Sequence, residues 1–269
     1  MSNLAQRVLS AVVALPVVAA LILWRQPLGF SLFVLLVAGL ALMEYAAIVL
    51  PAASAGFRAR LVILGVAFCA GLVFAPGLAL LWGLAAFVVT AAVVLFDPGD
   101  IAGAGARLGV SLFGVFYLGG LCAPLAIIHR DAAHGSAWVL LAIAVTFGND
   151  TGAYFAGRAF GRHKLYPLVS PAKSVEGAIG GMAASVAILI GVRATLAPWL
   201  TWGDCLLVGV PAGVIGPIGD LVESLIKRAF GVKDSGKLIP GHGGMLDRID
   251  GLLFAAPAAY FLVVAYGFH

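Results

Sequence analysis

The sequence predicts an all-α fold, a polytopic integral membrane helical bundle of about nine transmembrane helices with a cytoplasmic N-terminus. Of its 269 residues, 62% are hydrophobic and only 10% are charged, and the mean hydropathy is +1.10. Soluble proteins average about 25% charged residues. Apolar stretches of roughly 17 to 25 residues, the length that a helix needs to cross the hydrocarbon core, follow one another along the chain. None alternates in polarity as a transmembrane β-strand would, so a barrel is not expected.

Nine apolar stretches are predicted to span the membrane. They cover residues 8–24, 28–50, 61–75, 78–96, 108–128, 136–155, 177–196, 205–226 and 252–268. The third is short and the sixth and eighth carry charge, so eight or ten spans are also compatible with the pattern. The first resembles a signal peptide because Arg7 precedes it, but it is long and reaches Trp24 and Arg25 without a convincing cleavage site. We therefore interpret it as a helix.

The distribution of Lys and Arg predicts the orientation, because these residues are retained on the cytoplasmic side. With a cytoplasmic N-terminus, 13 of the 16 Lys and Arg residues lie on that side. Arg25 and Arg130 lie on the opposite side, and Arg193 lies near the outer end of the seventh span. Topology and attraction to anionic lipids account for the net charge of +4, so no nucleic-acid partner is expected.

The chain is predicted to form a single membrane domain, residues 1–269, in two functionally different parts. Residues 1–140 consist mainly of scaffold spans, and residues 149–251 carry most of the charge and are expected to form the catalytic region. Glycines of the seventh and eighth spans are predicted to allow close helix packing; they are Gly177, Gly180, Gly181, Gly209, Gly213 and Gly216.

A polar segment at residues 224–250 interrupts the otherwise apolar chain. It contains five cations, which can hold phosphates, beside three aspartates, which can hold a metal ion. Just before and within it, Asp220, Glu223, Ser224 and Lys227 have the spacing of one helix face. The simpler alternative is an ion pair of Glu223 with Lys227 that reaches to the membrane surface, but it leaves Asp220 and Ser224 without a role.

Two aspartates three residues apart, Asp247 and Asp250, open the last predicted span. Few oxygen ligands that leave room for water suit Mg²⁺ shared with substrate phosphates, although an Asp at this place can also cap the helix. Before them lies the turn 240–244, whose glycine amides can approach a phosphate closely and whose His242 adds a donor. The pattern therefore favours a phosphate and metal site.

A second polar patch follows the sixth span. Asn149, Asp150, Tyr154 and Arg158 are spaced along one helix face. In the segment 170–177 that comes after them, Lys173 is placed to meet a phosphate. Ser174 and Glu176 have an alternative role there, as the cap and first turn of the seventh helix. By the predicted topology both patches face the cytoplasm, and their composition indicates phosphoryl or nucleotidyl transfer.

Glu44 is a lone carboxylate within the second predicted span, next to Tyr45. Carboxylates at such a depth are costly unless they are hydrogen-bonded or line a wet path. We interpret Glu44 as a hydrogen-bonded structural residue, with a proton or ion path as the alternative.

These motifs resemble the signature of the phosphatidate cytidylyltransferase family. The resemblance rests on Ser224-x-x-Lys227-Arg228, Lys233-Asp234-x-Gly236 and Pro240-Gly241-His242-Gly243-Gly244-x-x-Asp247-Arg248-x-Asp250. It extends upstream to Asn149-Asp150, Tyr154, Gly157-Arg158 and Ser170-Pro171-x-Lys173-Ser174-x-Glu176-Gly177. It is strong over residues 149–251. The family's pattern leads us to expect Thr in place of Ser174 and often Ser in place of Gly251.

The resemblance implies a multi-pass enzyme of the inner membrane, with its active site facing the cytoplasm. It would form CDP-diacylglycerol and pyrophosphate from CTP and phosphatidic acid in phospholipid biosynthesis, among membrane lipids, with Mg²⁺, a possible second cation and a plausible homodimer. The implied metal ligands are Asp220 and Asp247, supported by Ser224 and Asp250. The implied catalytic and substrate-binding residues are Asp220, Ser224, Lys227, Arg228, Asp247, Arg248, Asp250, Asn149, Asp150, Arg158, Lys173, Ser174, Lys233, Asp234, His242, Gly243 and Gly244.

Two other classes of membrane protein compete with this interpretation. CDP-alcohol phosphotransferases need Asp-Gly-x-x-Ala-Arg and two later aspartates, but Asp250-Gly251 is followed by residues 252–255 of sequence LLFA and by no acidic residue before His269. A transporter could use four carboxylates as intramembrane ion ligands, namely Glu44, Asp150, Asp220 and Glu223. It would predict inverted repeats, which the sequence lacks, and it leaves the turn 240–244 without a function.

Overall fold

The structure, a computed structural model, describes residues 12, 15–24, 26–239, 241 and 243–265. The first predicted span, residues 8–24, therefore lies partly outside the described residues, and within it residues 15–23 are helical. His242, a predicted substrate-binding residue, lies outside them as well.

Helices dominate the described residues and confirm an all-α polytopic membrane protein. They are α1 (Pro27–Val49), α2 (Ala55–Phe74), α3 (Ala79–Phe96), α4 (Ala104–Gly114), α5 (Leu121–Asp131), α6 (Gly135–Phe160), α7 (Val175–Thr195), α8 (Trp202–Ala229) and α9 (Leu246–Tyr260). A 3₁₀ turn, Pro76–Leu78, leads into α3, and a π-helical segment, Val115–Gly120, joins α4 to α5.

Seven helical stretches among the described residues are long and apolar enough to cross a membrane. They are Pro27–Val49, Ala55–Phe74, Pro76–Phe96, Ala104–Asp131, Gly135–Phe160, Val175–Thr195 and Trp202–Ala229. These stretches correspond to the second through eighth predicted spans. The complete span count and the cytoplasmic orientation of the N-terminus stay predictions.

The third span is longer than the sequence predicted. Hydropathy placed its start at residue 61 because Arg58 and Arg60 interrupt the apolar run, but α2 begins at Ala55. Ser54 explains the difference, since its side chain accepts a hydrogen bond from the Phe57 amide and so caps the helix. The two arginines therefore lie within the first two turns of a helix of 20 residues.

The ninth predicted span, residues 252–268, is described only in part. Its helix α9 has 15 residues and is followed by a π-helical segment, Phe261–Ala265. This stretch is not among the seven candidate spans. Residues 266–269 lie outside the described part of the chain.

A short hairpin connects α6 to α7, where the sequence predicts only a polar segment. Strand β1 (Lys164–Tyr166) pairs antiparallel with β2 (Ser170–Ser174). The Val175 amide also donates to the His163 carbonyl oxygen at 2.9 Å. The hairpin matters for the site because β2 carries Lys173.

The fold groups into two compact units. Unit 1 comprises Met1–Ile127 and Ala229–Arg248, and unit 2 comprises Ile128–Arg228 and Ile249–His269. The single membrane domain expected from the sequence stays a prediction. Each unit contains part of the predicted site.

In unit 1, aromatic and small residues hold α1 against its neighbours. The Tyr45 hydroxyl donates to the Val110 carbonyl oxygen at 2.8 Å. A Cβ atom added at Gly114 would overlap the Tyr45 ring, so the helix can approach only because that residue is glycine. These contacts fix the end of α1 that carries Glu44.

In unit 2, the predicted glycine packing is confirmed at most positions. A Cβ atom added at Gly180 of α7 would overlap the Ala156 side chain of α6, and one at Gly213 of α8 would lie 2.8 Å from the Met182 Cα atom. Helices α6 and α7 consequently pack backbone against backbone. Gly216 differs, because the nearest atom to an added Cβ is 3.9 Å away, an ordinary contact.

Replacing Gly180 with Val is expected to lower the stability of the folded protein by about 1 to 3 kcal/mol, because the added atoms must force α6 away from α7. The measurement is the midpoint of thermal unfolding in detergent. Gly191→Val on the same helix is the matched control, since an added Cβ there meets no atom within 4 Å. Equal losses in the two variants would contradict the packing interpretation.

Candidate active site

In unit 2, helix α8 presents the polar face that its sequence predicted. The Ser224 hydroxyl donates to Asp220 Oδ1 at 3.3 Å, one turn away. Lys227 Nζ lies 2.6 Å from Glu223 Oε2, also one turn away. The spacing of one helix face therefore appears in the structure as two side-chain pairs.

The ion pair of Glu223 with Lys227, the alternative considered for these residues, is present. Its location differs from the one expected. The pair does not lie at the surface, since the side chains are only 1% (Glu223) and 12% (Lys227) exposed. A buried carboxylate of this kind depends on its cation, and removing one partner would leave an uncompensated charge. The predicted catalytic role of Lys227 stays a prediction.

Lys173 on strand β2 reaches across to helix α8. Its Nζ atom lies 2.6 Å from Asp220 Oδ2, and the two side chains are 24% and 30% exposed. Glu176 holds the base of this hairpin, because its carboxylate accepts from the Arg162 amide at 3.1 Å and the His163 amide at 3.2 Å. Its Oε1 atom also lies 2.6 Å from His163 Nδ1. The hairpin thus places the ammonium group of Lys173 in contact with Asp220, a predicted metal ligand.

Asp250 joins the same part of unit 2. Its carboxyl is within electrostatic range of Asp220, Asp150 and Lys227. Gly219 makes this approach possible, because a Cβ atom added there would lie 2.6 Å from the Asp250 carbonyl oxygen. Helices α8 and α9 therefore pack closely beside Asp220, and the charges of Asp220 and Asp250 act on each other.

A cavity of about 390 Å³ opens beside these residues. Its polar lining combines both signs of charge: Asp150, Arg158, Lys173 and Asp220, together with Tyr154. Small-molecule sites commonly have volumes of about 300 to 1,000 Å³. The cavity is large enough for part of a nucleotide or a lipid headgroup, and its cations suit phosphate.

Two predicted substrate-binding residues have structural partners. Asn149 is 2% exposed, and its amide nitrogen donates to Ser185 Oγ at 3.1 Å and to the Gly213 carbonyl oxygen at 3.2 Å, so it ties α6 to α7 and α8. The Ser174 hydroxyl accepts from the Gly177 amide at 3.1 Å and caps α7, as its alternative role required. Both also line the cavity, and their contact with substrate stays a prediction.

The remaining predicted cations of unit 2 are exposed. Arg158 donates to the Tyr154 hydroxyl at 3.1 Å, which confirms that these residues share one face of α6. Arg228 lies 3.5 Å from the Val169 carbonyl oxygen. Exposed guanidinium groups can still turn towards a phosphate.

In unit 1, the glycine-containing turn before α9 folds around Asp247. A single oxygen, Asp247 Oδ2, accepts from the Ser235 amide, the Ser235 hydroxyl and the Gly244 amide, at 2.9, 3.0 and 2.9 Å. Gly243 has a φ of +82°, a left-handed conformation that glycine adopts without strain. The Gly244 amide, which was expected to meet a phosphate, is therefore directed to Asp247 in the structure.

Glu44 supplies the second anchor of this turn. Its carboxylate accepts from the Met245 and Leu246 amides at 2.9 and 3.0 Å and from the Ser235 hydroxyl at 2.9 Å. The interpretation of Glu44 as a hydrogen-bonded structural residue is confirmed. Ser235 was missed, because it occupies the variable position of the Lys233-Asp234-x-Gly236 motif. A hydroxyl next to a glycine in a polar turn was the only available signal.

Three further predicted residues of unit 1, Lys233, Asp234 and Arg248, are exposed. Because they are exposed, the long cationic side chains of Lys233 and Arg248 can contact an anionic ligand. Exposure alone does not identify a ligand for any of the three residues. Their predicted roles as substrate-binding or catalytic groups stay predictions.

The donor set fits a hard divalent cation. Asp150, Asp220, Ser224 and Asp250 offer oxygen atoms, and Mg²⁺ prefers oxygen and is usually held by one or two carboxylates, water and substrate phosphates. Among the described residues, no group of three or more potential ligands has the arrangement of a preformed metal site. This is compatible with a Mg²⁺ ion that arrives with phosphate. The predicted metal ligands, Asp220, Asp247, Ser224 and Asp250, stay predictions.

Relatives of this chain were found in two comparisons. The model of the cytidylyltransferase family matches residues 5–266. A phosphatidate cytidylyltransferase from Brucella suis is 36% identical over 275 residues, which cover 97% of this chain and 93% of the relative. Proteins with the same name from Staphylococcus saprophyticus and Staphylococcus haemolyticus are 42% and 44% identical, over 51% of this chain and 53% and 52% of the relatives.

The Lys173–Asp220 pair is expected to be coupled in stability by about 0.5 to 3 kcal/mol. Lys173→Met alone should destabilise the protein because Asp220 loses the cation that pairs with it, and adding Asp220→Asn should recover part of that loss. Thermal unfolding of the two single variants and the double variant measures the coupling. Asp100→Asn, at an exposed position of unit 1, should combine additively with Lys173→Met. Additivity of the Lys173 and Asp220 changes would contradict the coupling.

Proposed function

Because the chain belongs to the cytidylyltransferase family, we propose that it transfers the cytidylyl group of CTP to phosphatidic acid, forming CDP-diacylglycerol and pyrophosphate. The observation that carries the proposal is the cavity of unit 2, where Lys173 and Arg158 lie beside Asp150 and Asp220. Cations there suit the phosphates of both substrates, and carboxylates suit a metal ion shared with them. Relatives named for this activity supply the identity of the substrates.

The reaction is an in-line substitution at phosphorus. An oxygen of the phosphatidic acid phosphate attacks the α-phosphorus of CTP, a new P–O–P bond forms, and the bond to the bridging oxygen breaks as pyrophosphate leaves. The phosphate monoester is already ionised near pH 7, so no side chain has to remove a proton from it. Catalysis then depends on positioning and on neutralising charge.

The described residues can divide these tasks. Arg158 and Lys173 bind phosphate oxygens at the cavity, and the exposed Arg228 extends the cationic surface of unit 2. Lys173 also compensates Asp220 at 2.6 Å when no other cation is present. A phosphate that binds Lys173 and a divalent cation that binds Asp220 would replace this pair with two stronger pairings, since each ligand carries more charge than the side chain that it replaces.

Mg²⁺ is the proposed cofactor, and a second cation is proposed with it. When bound, Mg²⁺ would neutralise phosphate charge and orient the triphosphate. Asp220 and Asp250 would hold it in unit 2, with Ser224 supporting Asp220 through their hydrogen bond. Asp247 is the proposed ligand of unit 1, and its Oδ2 atom already accepts from the Ser235 and Gly244 amides.

The proposed location is the inner membrane, as a multi-pass protein with its active site facing the cytoplasm. The positive residues around the predicted site support this orientation, since Lys and Arg are retained on the cytoplasmic side. A homodimer is proposed from the family resemblance alone.

The first experiment is release of pyrophosphate by the purified protein in detergent, with CTP, phosphatidic acid and Mg²⁺ omitted one at a time. We expect release only when all three are present. If folded protein releases none in the complete mixture, the cytidylyltransferase proposal fails and the transporter alternative, tested by ion or solute uptake into proteoliposomes, takes its place.

Asp220→Asn is expected to lower pyrophosphate release on the order of a hundredfold or more, because the site loses a metal ligand and the partner of Lys173. Asp100→Asn is the matched control, a change of the same kind at an exposed position outside the predicted site. Rates are compared per amount of protein that elutes as a folded species in gel filtration. Near wild-type turnover in Asp220→Asn would remove Asp220 from the site.

Removal of divalent cations by a chelator is expected to abolish turnover, and Mg²⁺ is expected to restore it. Ca²⁺ should restore it poorly, because it prefers more ligands at longer distances. Turnover that persists in the chelated protein would contradict the proposed cofactor.

A further inference from the structure

Glu44 lies outside the segment that resembles the family signature, yet its carboxylate contacts that segment at three points. The donors are the Met245 amide, the Leu246 amide and the Ser235 hydroxyl. These residues are separated from Glu44 by about 190 to 200 positions in the chain. A carboxylate that accepts from two amides of one turn and lies 2.9 Å from a hydroxyl of the same turn is a specific anchor for that turn.

The start of α9 requires such an acceptor. The first amides of a helix have no partner within it, and a side-chain oxygen just before the helix usually satisfies them. Met245, the residue before Leu246, has no side-chain oxygen. Glu44 provides one from helix α1 instead, and its negative charge is favourable at the positive end of the helix dipole.

The glycines of the turn make room for this carboxylate. A Cβ atom added at Gly236 would lie 2.6 Å from Glu44 Oε1, and one at Gly244 would overlap both Glu44 Oε2 and Ser235 Oγ. A side chain at either position would displace Glu44. The Glu44 carboxylate therefore explains why two positions of the signature, Gly236 and Gly244, are glycine. A bound phosphate is not needed to explain them.

Ser235 connects this anchor to a predicted metal ligand. Its hydroxyl oxygen, in a residue 6% exposed, lies 2.9 Å from Glu44 Oε2 and 3.0 Å from Asp247 Oδ2. It also accepts from the Asp247 amide at 3.3 Å. Since one hydroxyl has a single hydrogen, it can donate to only one carboxylate at a time, and the orientation of Asp247 is linked to Glu44 through it.

We propose that Glu44 is a positioning residue of the enzyme, which acts through Ser235 and the amides that open α9 to set the conformation of the turn 235–247 and the orientation of Asp247. The proposal rests on the proposed function for its catalytic consequence, whereas the anchoring of the turn can be measured without it. Glu44 itself contacts no reacting atom in this scheme.

The test combines hydrogen exchange with steady-state kinetics on the full-length protein in detergent. Glu44→Gln places an amide NH₂ group among donors and keeps only one acceptor oxygen. We expect exchange at the Met245 and Leu246 amides to rise about tenfold, the effect of losing one hydrogen bond, while exchange in unit 2 stays as in the wild type. The kcat for pyrophosphate release should fall about tenfold to a hundredfold, with a smaller change in the KM for CTP.

Two further variants separate charge from geometry. Glu44→Asp keeps both oxygens on a shorter stem and should restore part of the protection and of kcat. Ser235→Ala removes the link to Asp247 but keeps the amide contacts of Glu44, so it should lower kcat with a smaller change in exchange at Leu246. Met43→Gln, which places the same amide at an adjacent position that is 58% exposed, is the control and should change neither quantity.

Each outcome decides the proposal. Unchanged exchange in Glu44→Gln overturns the anchor, and raised exchange with unchanged turnover overturns the catalytic role. If Glu44→Gln does not fold, the same two readouts in Glu44→Asp and Ser235→Ala decide between the outcomes. If the wild-type protein releases no pyrophosphate, the proposed function has failed, and the exchange measurement still tests the anchor alone.

Discussion

A carboxylate that leaves water for an apolar surrounding is stable only when cations or hydrogen-bond donors replace its hydration. In a chain with so few charged residues, this constraint determines how the polar groups are arranged. Glu223 is paired with Lys227, Asp220 with Lys173, and Glu44 with the donors of a turn. The polar contacts of the candidate site therefore first stabilise these charged side chains in an apolar protein.

The same constraint links stability to the proposed chemistry. Lys173 compensates Asp220, which lines the same cavity as Asp150 and acts electrostatically on Asp250, and each of these groups is also suited to a ligand of opposite charge. A site built in this way binds a metal ion and a phosphate by exchanging partners, so the energy of an internal ion pair offsets part of the binding energy. A strongly charged site can thus remain folded in an apolar protein before its substrates arrive.

Small residues have two separate purposes in the fold. Gly180 and Gly213 let helices of unit 2 approach until their backbones touch, which is a matter of packing. Gly236 and Gly244 leave space for the Glu44 carboxylate within unit 1. The two kinds cannot be distinguished in a sequence, because a glycine shows only that a side chain is absent and not which group occupies the space.

The sequence by itself determined the class of fold, because the length and spacing of apolar stretches depend only on the thickness of the hydrocarbon core. It also identified the polar segments and the face shared by Asp220 and Ser224, and it offered the capping role of Ser174 as an alternative, since these follow from local helix geometry. The long and specific motifs indicated the family. The pair of Glu223 with Lys227 was also an alternative, and its burial was not foreseen.

Only the tertiary structure decided which distant groups meet. The contact of Lys173 with Asp220, the role of Ser235 and the anchoring of the turn 235–247 by Glu44 join residues far apart in the chain. No local pattern specifies such pairs, because they depend on how helices pack and on where glycines permit close approach. The sequence therefore determined what chemistry the chain carries, and the packing of its helices decided which partner each carboxylate has.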